Sequence, residues 1–154
     1  MFVLRFDLRI PPFVESLTHG DQYREFLKMV EWADDKGFAA VVLSEHHGTE
    51  DGYMNSPLLL AGSVLGATNT LFCSVSALLL PLHDELRIAE EIATVDLIGP
   101  GRFNVVVGIG YRESEFEMFA KNRKTRGKDT EEGIRTILTA LKGEPFEYKG
   151  REVL

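Results

Sequence analysis

The sequence predicts a parallel α/β fold in which strands and helices alternate in the order βαβαβαβα. Short apolar runs with strand character are centred near residues 5, 41, 75 and 106. Between these runs, apolar residues recur at helical spacing, and glycine or proline closes most of the elements. A regular strand-helix repeat favours parallel pairing of the strands through right-handed crossovers.

The first half of the chain supplies two strands and two helices. We predict a strand at Phe2–Leu8, a helix at Gln22–Lys36 closed by Gly37, and a strand at Phe38–Leu43. Ser56-Pro57 is typical of a helix start, because serine is a good N-cap and proline is tolerated in the first turn. This second helix is expected to extend to about Thr68.

The second half repeats the pattern. We predict a strand at Leu71–Leu80, a helix capped by Asp84, and a fourth strand at Phe103–Ile109. A short helix is expected around Ser114–Ala120 and a β-turn at Lys149-Gly150. The last long helix is expected to begin after a basic loop, with a capping box formed by Asp129 and Glu132. Its apolar stripe is formed by Ile134, Ile137, Leu138 and Leu141.

Length and composition predict one domain over residues 1–154 and exclude several classes of protein. The chain has 17 basic and 24 acidic residues, so its net charge of −7 disfavours binding to nucleic acid or to an anionic membrane. Its longest apolar runs, such as Leu78–Leu82, are too short to cross a bilayer. Cys73 is the only cysteine, which excludes an internal disulfide. We expect a cytoplasmic protein.

Two folds fit this element order: an open doubly wound sheet, or part of a (β/α)8 barrel. A complete barrel takes about 250 residues, and the four units here are half of one. In either fold, ligands bind beyond the carboxyl ends of the strands. The candidate site therefore lies in the loop after strand two, at the end of strand three near His83, and after strand four.

The loop after strand two carries the most suggestive chemistry. It contains Glu45-His46-His47, and histidine accepts or donates a proton near neutral pH more readily than any other side chain. Neighbouring residues of an extended chain point in opposite directions, so we expect one histidine in the site and the other packed behind it. A histidine that only bonds to nearby backbone is an equally ordinary explanation.

A metal site is the alternative at the same place. Glu45, His46, His47 and His83 could converge on one ion, but paired metal ligands usually lie two apart on a strand or four apart on a helix. Because these two histidines are adjacent, we predict no metal site.

Two other segments carry small residues. Gly108-Ile109-Gly110 follows a strand as in a dinucleotide fingerprint, but Glu113 stands where the third glycine belongs. The glycines are better explained by close approach of a ligand or of backbone. Ser76-Ala77 lies within strand three, where plain packing of small against large side chains is the simpler explanation.

Taken together, these segments resemble the bacterial luciferase-like flavin-dependent monooxygenases. The resemblance covers nearly the whole chain and is carried, in order, by Val42–Gly48, Ser56–Leu58, Leu80–His83, Arg87–Glu91, Asp96–Phe103 and Gly108–Tyr111. It implies the first half of a (β/α)8 TIM barrel. It also implies an oxidoreductase acting on a small organic substrate, with either reduced FMN and O2 or hydride transfer by coenzyme F420.

The resemblance also implies roles for particular residues. His46 matches a histidine implicated in luciferase catalysis, with Glu45 beside it. Ser76-Ala77 matches a non-proline cis peptide behind the flavin ring, and Gly108-Ile109-Gly110 matches a segment lining the flavin pocket. Gly108 stands where luciferase has a reactive cysteine, so that thiol is not required here.

The length departs from the family, because only the first half of the barrel is matched. Half a barrel leaves two strand edges and an apolar interior uncovered, so we expect a fragment that self-associates, as a homo-oligomer. The alternative function is a truncated or accessory half-barrel that binds a partner or flavin without turnover.

Overall fold

A computed structural model describes all 154 residues and contains strands and helices in the predicted order. The strands are β1 (Val3–Phe6), β2 (Ala40–Leu43), β3 (Phe72–Leu79), β4 (Phe103–Gly108), β5 (Phe146–Tyr148) and β6 (Arg151–Val153). The helices are α1 (His19–Asp35), α2 (Pro57–Ala67), α3 (Glu85–Ile98), α4 (Glu113–Met118) and α5 (Arg126–Ala140). A single 3₁₀ turn at Leu80–Leu82 joins β3 to α3.

The first four strands form one parallel sheet in the order β1-β2-β3-β4. Each strand therefore pairs with the next one along the chain, as in a barrel rather than in a doubly wound sheet, whose strand order reverses. The predicted parallel α/β fold is confirmed, and the arrangement is the first half of a (β/α)8 barrel.

The two faces of the sheet differ in burial. One face packs against the helices, and its strand residues Val41, Leu43, Cys73 and Val75 belong to the main hydrophobic core. On the opposite face, which would line the interior of a closed barrel, Val3, Arg5, Asn104 and Val106 are exposed; Val106 is 46% exposed. The open face is therefore the concave wall of a half-barrel.

Most helix boundaries follow the sequence signals. The Asp84 carboxylate accepts hydrogen bonds from the backbone N–H groups of Leu86 and Arg87, as predicted for the start of α3. Ser56 precedes α2, but its side chain makes no capping hydrogen bond. Helix α1 begins at His19, three residues earlier than predicted, because Thr18 caps it by accepting from the Asp21 N–H.

The predicted start of α5 was wrong. The helix begins at Arg126, so Asp129 lies inside its first turn and the Asp129–Glu132 capping box does not form. The Thr125 hydroxyl, just before the helix, bonds to the Asp129 carboxylate instead. The predicted apolar stripe is only partly buried: Ile137 is in the core, whereas Leu138 is exposed.

The end of the sheet where the strands begin is tied together by two charged side chains. The Asp34 carboxylate accepts the backbone N–H groups of Asn69, Thr70 and Leu71. The Arg102 guanidinium donates to the Leu65 and Leu71 carbonyls and to the Thr68 hydroxyl. Both side chains therefore fix the connection between α2 and β3.

Beyond α5 the chain ends in a hairpin. Strands β5 and β6 pair antiparallel around Lys149-Gly150, both of which have positive φ, which confirms the predicted turn. None of the helices is both long enough and apolar enough to pass through a bilayer.

Candidate functional site

The carboxyl ends of β2, β3 and β4 bring the predicted loops to one edge of the sheet. The residues Ser44 to His47 follow β2, His83 follows the turn after β3, and Gly110 follows β4. The strands are parallel, so these loops meet at the end where barrel enzymes carry their active sites.

Glu45 forms the centre of a buried network. One carboxylate oxygen, Oε1, lies 2.7 Å from His47 Nε2 and 2.6 Å from His83 Nε2. The other, Oε2, accepts the backbone N–H of Leu79 at 2.6 Å. The Glu45 side chain is 0% exposed. It therefore ties the loop after β2 to the end of β3, and it does not face solvent.

The charge state of Glu45 follows from these contacts. Burial by itself would raise the pKa of the carboxyl. The hydrogen bonds from His47, His83 and the Leu79 N–H outweigh burial and lower the pKa from 4.5 to about 2. Glu45 is therefore a carboxylate at neutral pH, and both histidine rings donate to it.

The same three side chains have the composition of a metal site. Their ligand atoms in Glu45, His47 and His83 lie within 4.8 Å of one another. The fourth residue weighed from the sequence, His46, does not join them, because its Nδ1 contacts Glu115 instead. Hydrogen bonds to Glu45 account for the orientations of His47 and His83.

His46 is the more exposed histidine of the pair. Its Nδ1 lies 2.8 Å from Glu115 Oε1, and its side chain is 16% exposed. The ring meets Tyr53 and Tyr111 edge to face, at centroid distances of 4.8 and 5.8 Å. No protein group hydrogen-bonds to Nε2. The two adjacent histidines thus bond to different carboxylates, and Nε2 of His46 has no partner in the protein.

The remaining predicted site residues lie on β3 and at the end of β4. The peptide bond between Ser76 and Ala77 is cis. A Cβ atom on Gly108 would come within 2.9 Å of the Ala77 Cβ, so the glycine allows the two strands to approach here. Ile109 follows and is 49% exposed. Small residues therefore meet where β3 and β4 end.

Gly110 shapes the exit from β4. Its φ is +68°, which favours glycine, and a Cβ there would come within 3.0 Å of the Phe116 ring. The sharp turn at Gly110 sends the chain directly into α4, which carries Glu115.

Two residues of the site were missed by sequence reasoning. Glu115 is buried beneath the histidine loop, and Tyr53 packs on His46 while its hydroxyl lies 2.6 Å from the Ser44 hydroxyl. Glu115 lies on a six-residue helix with three glutamates, and only burial distinguishes it from the exposed Glu113 and Glu117. Tyr53 lies in a polar loop without periodicity, so no sequence signal pointed to either residue.

Comparisons with known proteins agree with this geometry. The beta chain of alkanal monooxygenase from Aliivibrio fischeri is 32% identical over 131 residues, covering 82% of this chain and 40% of that protein. The oxygenating constituent of 3,6-diketocamphane monooxygenase from Pseudomonas putida, solved with FMN, superposes with a TM-score of 0.85 at 22% identity. An F420-dependent secondary alcohol dehydrogenase superposes with a TM-score of 0.73 at 19% identity.

The structural matches cover 99% of this chain but only 43% and 44% of those two proteins, so the chain spans less than half the length of these relatives. The family model for luciferase-like monooxygenases matches residues 4–154. This match confirms the resemblance inferred from the motifs, and the chain belongs to the luciferase-like monooxygenase family.

Proposed function

We propose that this chain supplies the first half of the active site of a flavin- or F420-dependent oxidoreductase, in which His46 exchanges a proton with the substrate or cofactor. The observation that carries the proposal is the position of His46. It is a titratable ring with a free nitrogen, partly exposed at the carboxyl ends of parallel strands.

The small and apolar residues at the ends of β3 and β4 fit a planar ring. Ala77 and Gly108 are small and in close contact, and the exposed Ile109 and Tyr111 add apolar and aromatic surface. Such a surface suits the planar isoalloxazine or deazaflavin ring of the cofactor, whereas the phosphate tail requires polar partners. We therefore assign Ser76, Ala77, Gly108, Ile109 and Gly110 to the ring of FMN or F420.

The cofactor, when bound, supplies the redox chemistry, with O2 as co-substrate for reduced FMN or with direct hydride transfer for F420. The chain's own contribution is to hold the ring and to manage a proton at His46 Nε2. Glu45 is buried and bonded to His47, His83 and Leu79, so its role is to anchor the loop that carries His46. A direct catalytic role for Glu45 stays a prediction from the sequence, and its burial disfavours that role.

The proposal is tested by titrating the purified chain with FMN and with F420, oxidised and reduced, and following fluorescence. We expect saturable binding of one of them. In the His46→Ala variant, turnover with that cofactor should fall about 100-fold or more, the loss typical of removing a general acid-base group. The affinity for the cofactor should change less. Unchanged turnover in His46→Ala would exclude His46 from the reaction.

A second candidate function is supported by the uncovered surfaces of the half-barrel. Val106 on the concave face is 46% exposed, and an apolar groove beside β4 includes the exposed Leu97 and Leu138. Exposed apolar surface of this extent favours a partner, either a second copy of the chain or a complementary half-barrel. In this alternative, residues 1–154 form one domain that binds the partner or flavin without turnover.

Sedimentation velocity distinguishes the alternatives when it is combined with the titration. A homo-oligomer that binds flavin and turns over supports the enzyme, with self-association covering the open face. A monomer that binds neither cofactor supports the accessory half-barrel, because the incomplete pocket then depends on a partner.

A further inference from the structure

The group least explained by the proposed function is the buried carboxylate of Glu115. It comes from α4, 69 residues after His46, and its side chain is 0% exposed. Its Oε1 lies 2.8 Å from His46 Nδ1 and 3.0 Å from the backbone nitrogen of His47. One carboxylate oxygen thus contacts both histidines of the loop after β2.

The directions of these hydrogen bonds follow from the partners. The His47 backbone N–H is a donor, so Oε1 of Glu115 acts as an acceptor. An ionised carboxylate can only accept, so His46 Nδ1, which faces the same oxygen, carries the proton in that state. A neutral imidazole protonated on Nδ1 has its lone pair on Nε2, the nitrogen that no protein group contacts.

We propose that Glu115 is a positioning residue that fixes the tautomer and orientation of His46, leaving Nε2 as the proton acceptor of the ring. The proposal rests on the proposed function only for the consequence in catalysis. The placement of the proton on Nδ1 stands on the contacts of Glu115 alone.

The second oxygen of Glu115 supports this assignment. Oε2 is buried and has no hydrogen-bond partner in the protein. In Glu45, by contrast, both carboxylate oxygens are bonded. A carboxylate buried with one oxygen unpartnered carries a desolvation cost that its contacts offset only in part. Glu115 is therefore poorly explained as a source of stability and better explained by what it does to His46.

The charge of Glu115 would also act on the protonated ring. When Nε2 takes up a proton, the imidazolium lies 2.8 Å from a buried carboxylate oxygen, and the water-poor surroundings strengthen their attraction. Arg112, on the segment that leads into α4, interacts with Glu115 through space.

The test is ¹⁵N NMR of the full chain labelled in its four histidines, since imidazole nitrogen shifts distinguish the two neutral tautomers. The His46 signals are assigned with the His46→Ala variant. We expect the neutral ring of His46 to carry its proton on Nδ1. In Glu115→Ala, the majority should change to the Nε2-protonated form that free histidine prefers. Glu115→Gln, which retains an acceptor oxygen, should restore the Nδ1-protonated form.

Glu117→Ala is the matched control, because Glu117 is exposed on the same helix and contacts neither histidine. It should leave the His46 shifts unchanged. Circular dichroism reports whether Glu115→Ala remains folded. If that variant unfolds, the wild-type spectrum alone still tests the proposal. A neutral His46 ring that carries its proton on Nε2 in the wild-type chain would overturn it.

An Nδ1-protonated ring that persists in folded Glu115→Ala would also overturn it. These outcomes are separate from those of the proposed function. Unchanged turnover in His46→Ala would remove His46 from catalysis while leaving the tautomer result intact. If Glu115→Ala loses the Nδ1-protonated form and the pH profile of turnover shifts in Glu115→Gln, the tautomer proposal and the proposed function are both supported.

Discussion

The two ends of the parallel sheet use charged side chains in different ways. At the end where the strands begin, Asp34 and Arg102 bond to backbone groups and two hydroxyls of the α2–β3 connection. At the end where the strands finish, Glu45 and Glu115 bond to histidine rings. Both ends hold charges, but their partners differ in chemistry.

The difference separates contacts to groups of fixed protonation from contacts to titratable rings. A backbone amide or carbonyl does not change its protonation near neutral pH, so the hydrogen bonds of Asp34 and Arg102 to backbone do not vary with the protonation of their partners. Histidine rings do change theirs, so the contacts of Glu45 and Glu115 are made to groups whose protonation can vary. This division agrees with the general rule that barrel enzymes place chemistry at the carboxyl ends of strands and stability at the opposite face.

The largest effect is expected from Glu45→Gln. An amide in place of the carboxylate sets an N–H₂ group against one of three donors, which are two histidine rings and the Leu79 N–H. Losing a hydrogen bond to a buried charged group, with its donor left unpaired, costs about 3 kcal/mol. We expect urea unfolding at pH 7, followed by circular dichroism, to show a loss of stability of this size.

The pH dependence of that loss tests its cause. The pKa of Glu45 is lowered from 4.5 to about 2 in the folded chain, so its ionisation stabilises the fold above pH 4.5. This contribution disappears as the pH falls through that interval towards 2. The stability difference between wild type and Glu45→Gln should therefore narrow from pH 4.5 to 2. Glu50→Gln, at an exposed position of the same loop, should show no such dependence.

A smaller loss of stability is expected from Arg102→Ala at the opposite end. The substitution removes three hydrogen bonds and leaves two carbonyl groups without their donor, for a cost of about 2 kcal/mol. Arg135→Ala is the control, because the Arg135 partner is the exposed Glu131 on the same helix. It should change stability by less than about 0.5 kcal/mol.

Cofactor affinity sharpens the comparison. In Arg102→Ala, the fraction of chain that stays folded should bind FMN or F420 as tightly as wild type does. A weakened affinity measured under fully folded conditions would mean that the two ends of the sheet are coupled, and the division between them would fail.

The sequence was most informative where the signal is local. Apolar periodicity and the Asp84 cap predicted the order of the elements, because helix and strand patterns depend on residues only a few positions apart. The parallel order then brought His46, His83 and Gly108 to one edge without any knowledge of side-chain contacts.

Contacts between distant segments were not predictable in this way. Glu115 meets His46 across 69 residues, and nothing in its neighbourhood distinguishes it from Glu113 or Glu117. The capping box at Asp129 was wrong for a different reason. The motif fits many positions in a polar segment, and the helix begins earlier, after a local turn in which the Thr125 hydroxyl bonds to the Asn122 carbonyl and the Asp129 carboxylate.

The smallest effect is expected at Cys73, which lies in the helix-facing core near the start of β3. Burial raises the pKa of its thiol to about 12, so almost no reactive thiolate is present at neutral pH. We expect a disulfide reagent such as dithiobis(nitrobenzoate) to label native chain negligibly at pH 8 and to label urea-unfolded chain fully. Rapid labelling of the native chain would show that the core beside β3 opens readily. It would also place reactive chemistry at the end of the sheet to which only stability has been assigned.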